Sequence, residues 1–230
     1  MKITLFIPTL NEISGAKSVI PRIKKEWVDE IIVVDGNSTD GTIEYFESQG
    51  YTVLQQKEPG TINAWWQGFD AATGDVIIPF SPDGSSIPED IPKVVDKMRE
   101  GYDMVIASRY KDNAQSYDDN WFTGLGNKIF TEMINILFQA NYTDTLGMYR
   151  GFKKELLNTL GFNNKRELLF EILLSIRCAK LKLKIAEIPS SEPKRIGPGG
   201  SRAHPGVFYK IKSGFYMLYL IIREFFLWGR

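Results

Sequence analysis

The first 110 residues alternate between short apolar runs and longer segments with an apolar residue at every third or fourth position. Runs typical of buried strands lie at residues 3–7, 30–35, 52–55, 75–80 and 104–107. Helix-like segments separate them at residues 14–25, 40–49, 61–72 and 88–99. Because the runs are continuous rather than alternating, we expect both faces of the strands to be covered. This order predicts an α/β fold with a mostly parallel sheet flanked by helices.

The rest of the chain is less regular. Helices are predicted at residues 125–138, 168–179 and 207–228, with a strand at 183–188 and an irregular segment or short strand at 143–152. Gly, Pro and Ser are frequent at residues 189–205, which indicates a loop. We therefore expect one domain over residues 1–205, followed by an amphipathic aromatic helix over residues 206–230.

Charge is balanced over the whole chain but not along it. The sequence has 28 Lys and Arg and 28 Asp and Glu, so nothing in its overall charge favours nucleic acid as a partner. Residues 194–230, however, hold seven Lys and Arg and one acidic residue, a net charge of +6. A basic and aromatic C-terminal segment suits an anionic partner such as a diphosphate or a layer of lipid headgroups.

The apolar segments are too short for membrane spans. No stretch reaches the roughly 18–20 apolar residues that a spanning helix needs, and the run at residues 3–7 is too short for a signal peptide. We expect a cytoplasmic protein whose C-terminal helix lies at the inner face of the plasma membrane as a peripheral contact. Packing against the core or a homodimer contact would use the same aromatic residues, and both alternatives stay open.

Cysteine and histidine each occur once, and this limits the kinds of metal site that the chain can form. Cys178 and His204 are the single Cys and the single His, so a zinc site of Cys and His ligands is excluded. Any metal must therefore be bound by oxygen, which favours Mg²⁺ or Mn²⁺.

Charged residues follow four of the predicted strands. Asp35 is the last residue of one strand, and Glu12, Asp83 and Arg109 come shortly after the ends of three others. In a parallel sheet these ends share one edge, where ligands of such sheets bind. Each residue also has a structural interpretation as a turn residue, a helix cap or a surface ion pair. Their convergence is the main reason to predict a site there.

Eight segments, in order and spacing, resemble the family-2 inverting glycosyltransferases, and within them the dolichyl-phosphate mannose synthase-like group. They are IPTLNE at 7–12, VVDGNSTDGT at 33–42, AATGD at 71–75, SPDGSSIPEDIP at 81–92, ASRY at 107–110, LGNKIF at 125–130, DTLGMYRGFKKELL at 144–157 and EIPSSEPKR at 187–195. The resemblance implies a GT-A fold of the nucleotide-diphospho-sugar transferase type, a UDP- or GDP-sugar donor, a divalent metal and inversion at the anomeric carbon.

The resemblance also implies roles for residues at the donor end. Positions that hold the nucleoside are matched by Pro8, Asn11, Glu12 and Asp35. Arg195 and Arg202, in the predicted loop at residues 189–205, match residues that close over the diphosphate. The alternative interpretation is that this loop is only a disordered basic linker.

One motif departs from the family pattern. Asp83 matches the second Asp of the family's metal-binding Asp-x-Asp motif, Ser85 falls where some relatives supply a further metal ligand, and Ser81 replaces the first Asp. Asp83 alone is enough to bind the metal to the protein if phosphate oxygens and waters supply most of the metal ligands. Otherwise the metal affinity has fallen so far that the domain binds a nucleotide sugar with little turnover.

The acceptor is predicted with two alternatives. Arg109 matches a phosphate-binding Arg of the family, which suits a lipid-linked acceptor such as a polyprenyl phosphate. The second phosphate-binding Arg of the family is missing here, and Lys128 or Arg150 could replace it. If the acceptor is instead a hydroxyl of a surface glycan, a carboxylate must take its proton, and Asp144 matches the position of that base. Asp144 could also be only a turn partner. Both acceptors imply synthesis of cell envelope polysaccharide.

Overall fold

Seven strands form a mixed sheet in the computed structural model, which describes residues 1–162, 167, 169–197 and 207–229. The strands are β1 (Ile3–Thr9), β2 (Glu30–Asp35), β3 (Val53–Gln55), β4 (Val76–Pro79), β5 (Met104–Ser108), β6 (Arg150–Lys153) and β7 (Ile185–Pro189). Their order across the sheet is β3-β2-β1-β4-β6-β5-β7. All neighbours are parallel except β6, which is antiparallel to β4 and β5. The prediction of a mostly parallel sheet is confirmed. The antiparallel strand, Arg150–Lys153, begins within residues 143–152, which were predicted to be irregular or a short strand.

Helices cover both faces of this sheet. They are α1 (Ile13–Val19), α2 (Thr42–Ser48), α3 (Thr61–Ala71), α4 (Ile91–Arg99), α5 (Trp121–Phe138), α6 (Leu156–Thr159), α7 (Phe170–Lys180) and α8 (Val207–Leu227). The first helix is shorter than predicted because Pro21, which has no backbone N–H, lies in a 3₁₀ turn that follows it. The fifth begins earlier than predicted because Asn120 caps it, with its Oδ1 accepting from the N–H of Phe122 (3.1 Å) and Thr123 (3.0 Å).

Two apolar clusters lie on opposite faces of the sheet. On one face the Phe69 ring meets Phe152 and Phe170 edge-on or tilted, at centroid distances of 5.6 and 5.3 Å. Leu220 and Ile221 of α8 are fully buried in the same cluster. The C-terminal helix therefore contributes directly to the core of the domain.

An ion-pair network also holds α8 against α7. Arg177 is buried and donates to Glu224 (2.9 Å) and to Glu167 (3.0 Å). The opposite side of α8 exposes Phe215 and Tyr219. The helix is thus amphipathic, with a packed face and an exposed face. No helix within the described ranges is long and apolar enough to span a bilayer.

Candidate functional site

A cleft of about 450 Å³ opens where β1, β4 and β5 end. Its lining includes Pro8, Glu12, Asp83 and Arg109, which confirms that these strand ends converge. A larger hollow of about 790 Å³ lies at the opposite edge, around Asp75. Because ligands of parallel sheets bind at the carboxyl ends of the strands, we assign the site to the smaller cleft.

The carboxylate of Asp83 is a buried charge in this cleft. Its Oδ1 accepts from the N–H (2.9 Å) and the hydroxyl (2.6 Å) of Ser85, and its Oδ2 accepts from the guanidinium of Arg195. Burial raises the pKa of Asp83, but the Ser85 hydrogen bonds, the Arg195 charge and a hydrogen bond from Ser81 outweigh burial and hold the pKa below its usual value. The site therefore keeps an ionised carboxylate at neutral pH.

A glycine in α1 lets that helix approach the Asp83 loop. A Cβ placed on Gly15 would lie 2.5 Å from the carbonyl oxygen of Pro82 and 2.7 Å from the Cα of Asp83. Any larger residue would displace the loop. The strand-end pattern does not reveal this packing constraint.

The segment that follows β7 crosses the cleft beside Asp83. The N–H of Ile196 donates to the carbonyl of Asp83 (2.8 Å), and the Arg195 guanidinium lies 3.7 Å from a carboxylate oxygen of Glu12. Arg195 thus lies between two acidic residues of the predicted donor site. Arg202, the other predicted loop cation, lies outside the described residues.

Two predicted nucleoside-binding residues stabilise the loop after β2. Asp35 is fully buried and accepts from the N–H (2.7 Å) and hydroxyl (2.6 Å) of Ser38. Asn11 accepts from the N–H of Thr39 (2.8 Å). Neither Asp35 nor Asn11 lines the cleft, whereas Gly36 does. The structure brings Pro8 and Glu12 into the cleft and places Asp35 and Asn11 behind it.

Arg109 lines the cleft but is surrounded by carboxylates. Its Nε and Nη2 donate to Asp144 at 2.7 and 3.0 Å, and its Nη1 donates to Glu192 at 3.2 Å. The same Nη1 lies 3.7 Å from Asp119. Burial disfavours the charged guanidinium, but Asp144 and Glu192 outweigh burial and raise the pKa of Arg109. The cation is therefore permanent and already paired.

Asp144 does not have the environment of a base. It is fully buried, is absent from the cleft lining, and also accepts from Asn127 (3.2 Å) and from the N–H groups of Leu146 (3.1 Å) and Gly147 (3.0 Å). Burial raises its pKa, but Arg109 and these hydrogen bonds lower the pKa overall. This geometry does not favour the predicted role in proton transfer, because both carboxylate oxygens of Asp144 already accept hydrogen bonds and the side chain does not line the cleft. The alternative interpretation, a turn partner, describes Asp144 better.

Arg150 is also placed differently from its prediction as an acceptor-binding cation. The side chain is buried, and its guanidinium donates to the carbonyls of Gly147 (2.9 Å) and Glu171 (3.0 Å) and to the hydroxyl of Ser175 (2.9 Å). It does not line the cleft. Its position in the core excludes contact with an acceptor and instead fixes the start of α7.

Lys128, the other substitute for the missing Arg, is exposed on α5. It is not among the residues that line the cleft. The cleft therefore has two described cations, Arg109 and Arg195, and both are paired with carboxylates.

Two cleft carboxylates were missed by the sequence analysis. Glu171, at the start of α7, lines the cleft, and no described residue donates a hydrogen bond to its carboxylate. Glu192 lies three residues before Arg195 and uses one oxygen, Oε2, to accept from both Arg109 and Ser116. Burial raises the pKa of Glu192, and the Arg109 charge opposes this only in part. Glu192 is part of the EIPSSEPKR segment, whereas Glu171 had no motif to mark it.

The donor set at Asp83 suits a hard divalent cation. Asp83 and Ser85 offer adjacent oxygen ligands, and the described part of the chain contains no group of three acidic, His or Cys residues placed to hold a metal. Mg²⁺ commonly takes one or two carboxylates and completes its coordination with phosphates and water. The residues present therefore fit a metal that arrives with a phosphorylated ligand.

Comparisons with known proteins agree with this architecture. Residues 4–161 match the family described as glycosyl transferase family 2. The glycosyltransferase AglJ of Haloferax volcanii is 28% identical over 205 residues, which are 86% of this chain and 65% of that protein's length.

Solved structures of glucosyl-3-phosphoglycerate synthase from Mycobacterium tuberculosis share the fold. The complex with Mn²⁺, uridine diphosphate and glucosyl-3-phosphoglycerate has a TM-score of 0.67 at 20% identity, over 97% of this chain and 79% of that chain. The complex with Mg²⁺ and uridine diphosphate has a TM-score of 0.68 at 21% identity, with the same coverage. The GT-A fold is confirmed, and with more than half of its length matched by the family, the chain belongs to glycosyl transferase family 2.

Proposed function

We propose that this chain transfers a sugar from a UDP- or GDP-sugar to an acceptor bound at the Arg109 end of the cleft, with inversion at the anomeric carbon. The observation that carries the proposal is the ionised Asp83, held in the cleft by Ser85 and Arg195. A carboxylate, a hydroxyl and a guanidinium together suit a metal-bound diphosphate. The Mn²⁺ and uridine diphosphate complex of the Mycobacterium tuberculosis synthase supports this assignment.

At the donor end, Asp83 and Ser85 would hold Mg²⁺ or Mn²⁺, and Arg195 would transfer its hydrogen bond from Asp83 to the diphosphate. The bound metal supplies Lewis-acid stabilisation of the charge on the departing diphosphate. Pro8 and Gly36 line the same end and leave room for a nucleoside against the backbone. Burial raises the pKa of Asp83, and the Ser85 hydrogen bonds and the Arg195 charge lower it, with a smaller contribution from a Ser81 hydrogen bond. The Ser that replaces an acidic residue at position 81 is therefore compatible with an ionised Asp83.

At the acceptor end, an acceptor oxygen forms a bond to the anomeric carbon while the bond from that carbon to the diphosphate oxygen breaks. A hydroxyl acceptor must lose a proton in this step, and a carboxylate within reach can take it. Glu171 is suited to this role because it lines the cleft and its carboxylate has no described hydrogen-bond donor. A phosphate acceptor would need no base.

A lipid-linked acceptor is supported by the outer surface of α5 and α8. These helices contact each other through Phe138 and Phe225, whose ring centroids are 5.9 Å apart. We define the α5–α8 apolar surface by six of the large apolar side chains that these helices expose, Trp121, Leu125, Ile129, Phe215, Tyr219 and Ile222. The exposed Lys128 and Lys212 add positive charge to the two helices. Such a surface suits the headgroup region of an anionic membrane.

A hydroxyl acceptor is favoured by a different observation, the carboxylates around Arg109. Three acidic residues, Asp119, Asp144 and Glu192, already contact that guanidinium. A sugar hydroxyl carried on a lipid-linked or surface glycan satisfies both this observation and the apolar surface. We therefore place transfer to a glycan hydroxyl beside transfer to a polyprenyl phosphate as the second candidate.

The proposal is tested with the purified chain, a panel of UDP- and GDP-sugars, Mn²⁺ or EDTA, and a short polyprenyl phosphate. Metal-dependent formation of a sugar-lipid supports transfer to phosphate. Slow metal-dependent hydrolysis of the donor without a lipid product supports a hydroxyl acceptor. Donor binding without turnover would reduce the chain to a nucleotide-sugar-binding module, and failure to bind every donor would overturn the proposal.

A further inference from the structure

Glu192 gives the acceptor end of the cleft a negative charge that an anionic acceptor would have to overcome. We infer that Glu192 is a specificity-determining residue, which pairs with Arg109 and selects an uncharged, hydroxyl-bearing acceptor over a phosphate. This inference rests on the proposed function, because it concerns the acceptor of the same cleft. It assigns a role that none of the predicted site residues fulfils.

The geometry leaves Arg109 poorly placed to bind a phosphate. A guanidinium binds phosphate through a pair of parallel N–H groups. In Arg109 the Nε and Nη2 pair is occupied by the two oxygens of Asp144, at 2.7 and 3.0 Å. The remaining nitrogen, Nη1, donates to Glu192 at 3.2 Å. A phosphate would have to displace one carboxylate from a side chain that is only 15% exposed.

The net charge of Arg109 and its three carboxylate neighbours also disfavours a phosphate acceptor. Arg109 contributes one positive charge, and Asp119, Asp144 and Glu192 contribute three negative charges when ionised, which leaves a net charge of −2. A phosphate monoester carries about −1.5 to −2 at neutral pH. Like charges brought together in a partly buried site repel each other strongly. An uncharged acceptor meets no such penalty.

Glu192 is also able to contribute attraction to a hydroxyl. Its Oε2 accepts from Arg109 and Ser116, whereas no described residue donates to its Oε1. The residue lines the cleft and is 20% exposed. Oε1 can therefore accept a hydrogen bond from an acceptor hydroxyl while Oε2 holds Arg109. The same carboxylate disfavours one acceptor class and binds the other.

Glu192 is the carboxylate of the cluster most amenable to testing. Asp144 is fully buried and bonded to backbone N–H groups, so replacing it would disturb the fold. Glu192→Gln keeps the size of the side chain, removes the charge and replaces one acceptor oxygen by an NH₂ donor. Asp119→Asn removes a second, more distant charge, 3.7 Å from Arg109. If Glu192→Gln fails to fold, Asp119→Asn still tests the effect of charge.

The experiment measures binding of octyl phosphate and of octyl β-glucoside, below their micelle concentrations, to the full chain by calorimetry. We expect the wild type to bind octyl phosphate weakly, and Glu192→Gln to bind it roughly tenfold more tightly, with a smaller gain for Asp119→Asn. Glu132→Gln, at an exposed position of α5, is the matched control and should show no gain. Binding of the glucoside should not improve in any variant.

Equal or weaker binding of octyl phosphate by Glu192→Gln, in a protein that melts like the wild type, would overturn the inference. Equally damaging would be a wild type that transfers sugar to octyl phosphate as fast as Glu192→Gln does. Donor binding is measured separately, by the thermal shift that each nucleotide sugar produces with Mn²⁺. If no nucleotide sugar shifts the melting temperature of the wild type, the proposed function is wrong, but the inference about Glu192 is still tested, because octyl phosphate binding does not depend on the donor.

Discussion

The guanidinium of Arg195 lies on the carboxylate of Asp83 and links the segment after β7 to the loop after β4. This contact places a positive charge where a divalent cation would have to bind. Asp83 is nearly inaccessible to solvent, and Arg195 is also close to Glu12, at 3.7 Å. In the proposed function a divalent cation and Arg195 would therefore compete for this carboxylate, and the donor diphosphate would offer Arg195 a new partner.

Replacing Arg195 by Gln should separate binding of the metal from binding of the donor. Without the competing cation, Mn²⁺ should bind the free protein more tightly, by a few-fold. The nucleoside diphosphate should bind about tenfold more weakly, since charge-assisted hydrogen bonds are about twice as strong as neutral ones. Manganese electron paramagnetic resonance and calorimetry with uridine diphosphate measure the two affinities. The control is Lys194→Gln, an exposed neighbour, and tighter donor binding by Arg195→Gln would contradict the competition.

Replacing Asp83 by Asn should abolish the effect of metal on donor binding. The variant keeps the shape of the side chain but loses the charge that holds the cation, and we expect turnover to fall by about a hundredfold or more. The measurement is the thermal shift produced by uridine diphosphate with Mn²⁺ or with EDTA, followed by donor hydrolysis. Asp96→Asn, at an exposed position of α4, should behave like the wild type. Full metal-dependent activity in Asp83→Asn would remove Asp83 from the metal site.

The apolar pattern predicted most of the sheet because the buried parallel strands are runs of Val and Ile. The prediction for residues 30–35 coincides with β2, and the order of strands and helices is confirmed. The pattern did not define β6, because RGFK has no apolar run and is held between β4 and β5 by long-range pairing. Strand β6 is a strand only in the context of its two neighbours.

Sequence could place a site residue only where that residue directly follows a predicted strand. Asp83 follows a strand, so its place at the sheet edge could be inferred from sequence. Arg109 and Glu192 are 83 residues apart, and no local pattern indicates that they meet. Arg150 illustrates the opposite error: Arg is almost never fully buried unless it is paired, and only the fold supplies the carbonyls that satisfy it.

Replacing Asp144 by Asn should destabilise the protein. The change leaves the partly buried Arg109 without its bidentate partner, and breaking a buried pair costs about 3–5 kcal/mol. Because the pKa of Asp144 is lowered in the folded protein, its contribution is complete above about pH 4 and is lost as pH falls through the folded pKa. Urea unfolding of both proteins at several pH values measures this. A difference in stability that did not shrink in acid would contradict the ion pair.

Replacing Glu171 by Gln should reduce turnover without a matching loss of stability. If Glu171 takes the proton of a hydroxyl acceptor, its removal should slow transfer by about 10² to 10⁴-fold. Its carboxylate has no described hydrogen-bond donor, so the melting temperature should change little. The readout is the rate of transfer to an alkyl glycoside with the donor saturating. Turnover unchanged from wild type would eliminate Glu171 as the base.

The α5–α8 apolar surface leads to a prediction about membrane binding. Trp121 and Phe215 are 80% and 70% exposed, and inserting each ring among lipid headgroups removes apolar area from water. Trp121→Ser and Phe215→Ser should each weaken binding to vesicles of 30% anionic lipid roughly tenfold, and the two effects should add if the residues insert independently. Sedimentation with the vesicles measures binding. Leu181→Ser, exposed outside the two helices, is the control.

The vesicle experiment also separates a membrane contact from a homodimer contact. If this surface is a dimer interface, Trp121→Ser and Phe215→Ser should raise the fraction of monomer at a fixed protein concentration. Membrane binding and dimerisation would bury the same two rings. Vesicles without anionic lipid should bind less wild-type protein, because Lys128 and Lys212 add an electrostatic contribution that neutral lipid cannot satisfy. A monomeric wild type whose vesicle binding is unaffected by Trp121→Ser and Phe215→Ser would contradict both uses of the surface, and the acceptor would then have to reach the cleft from solution.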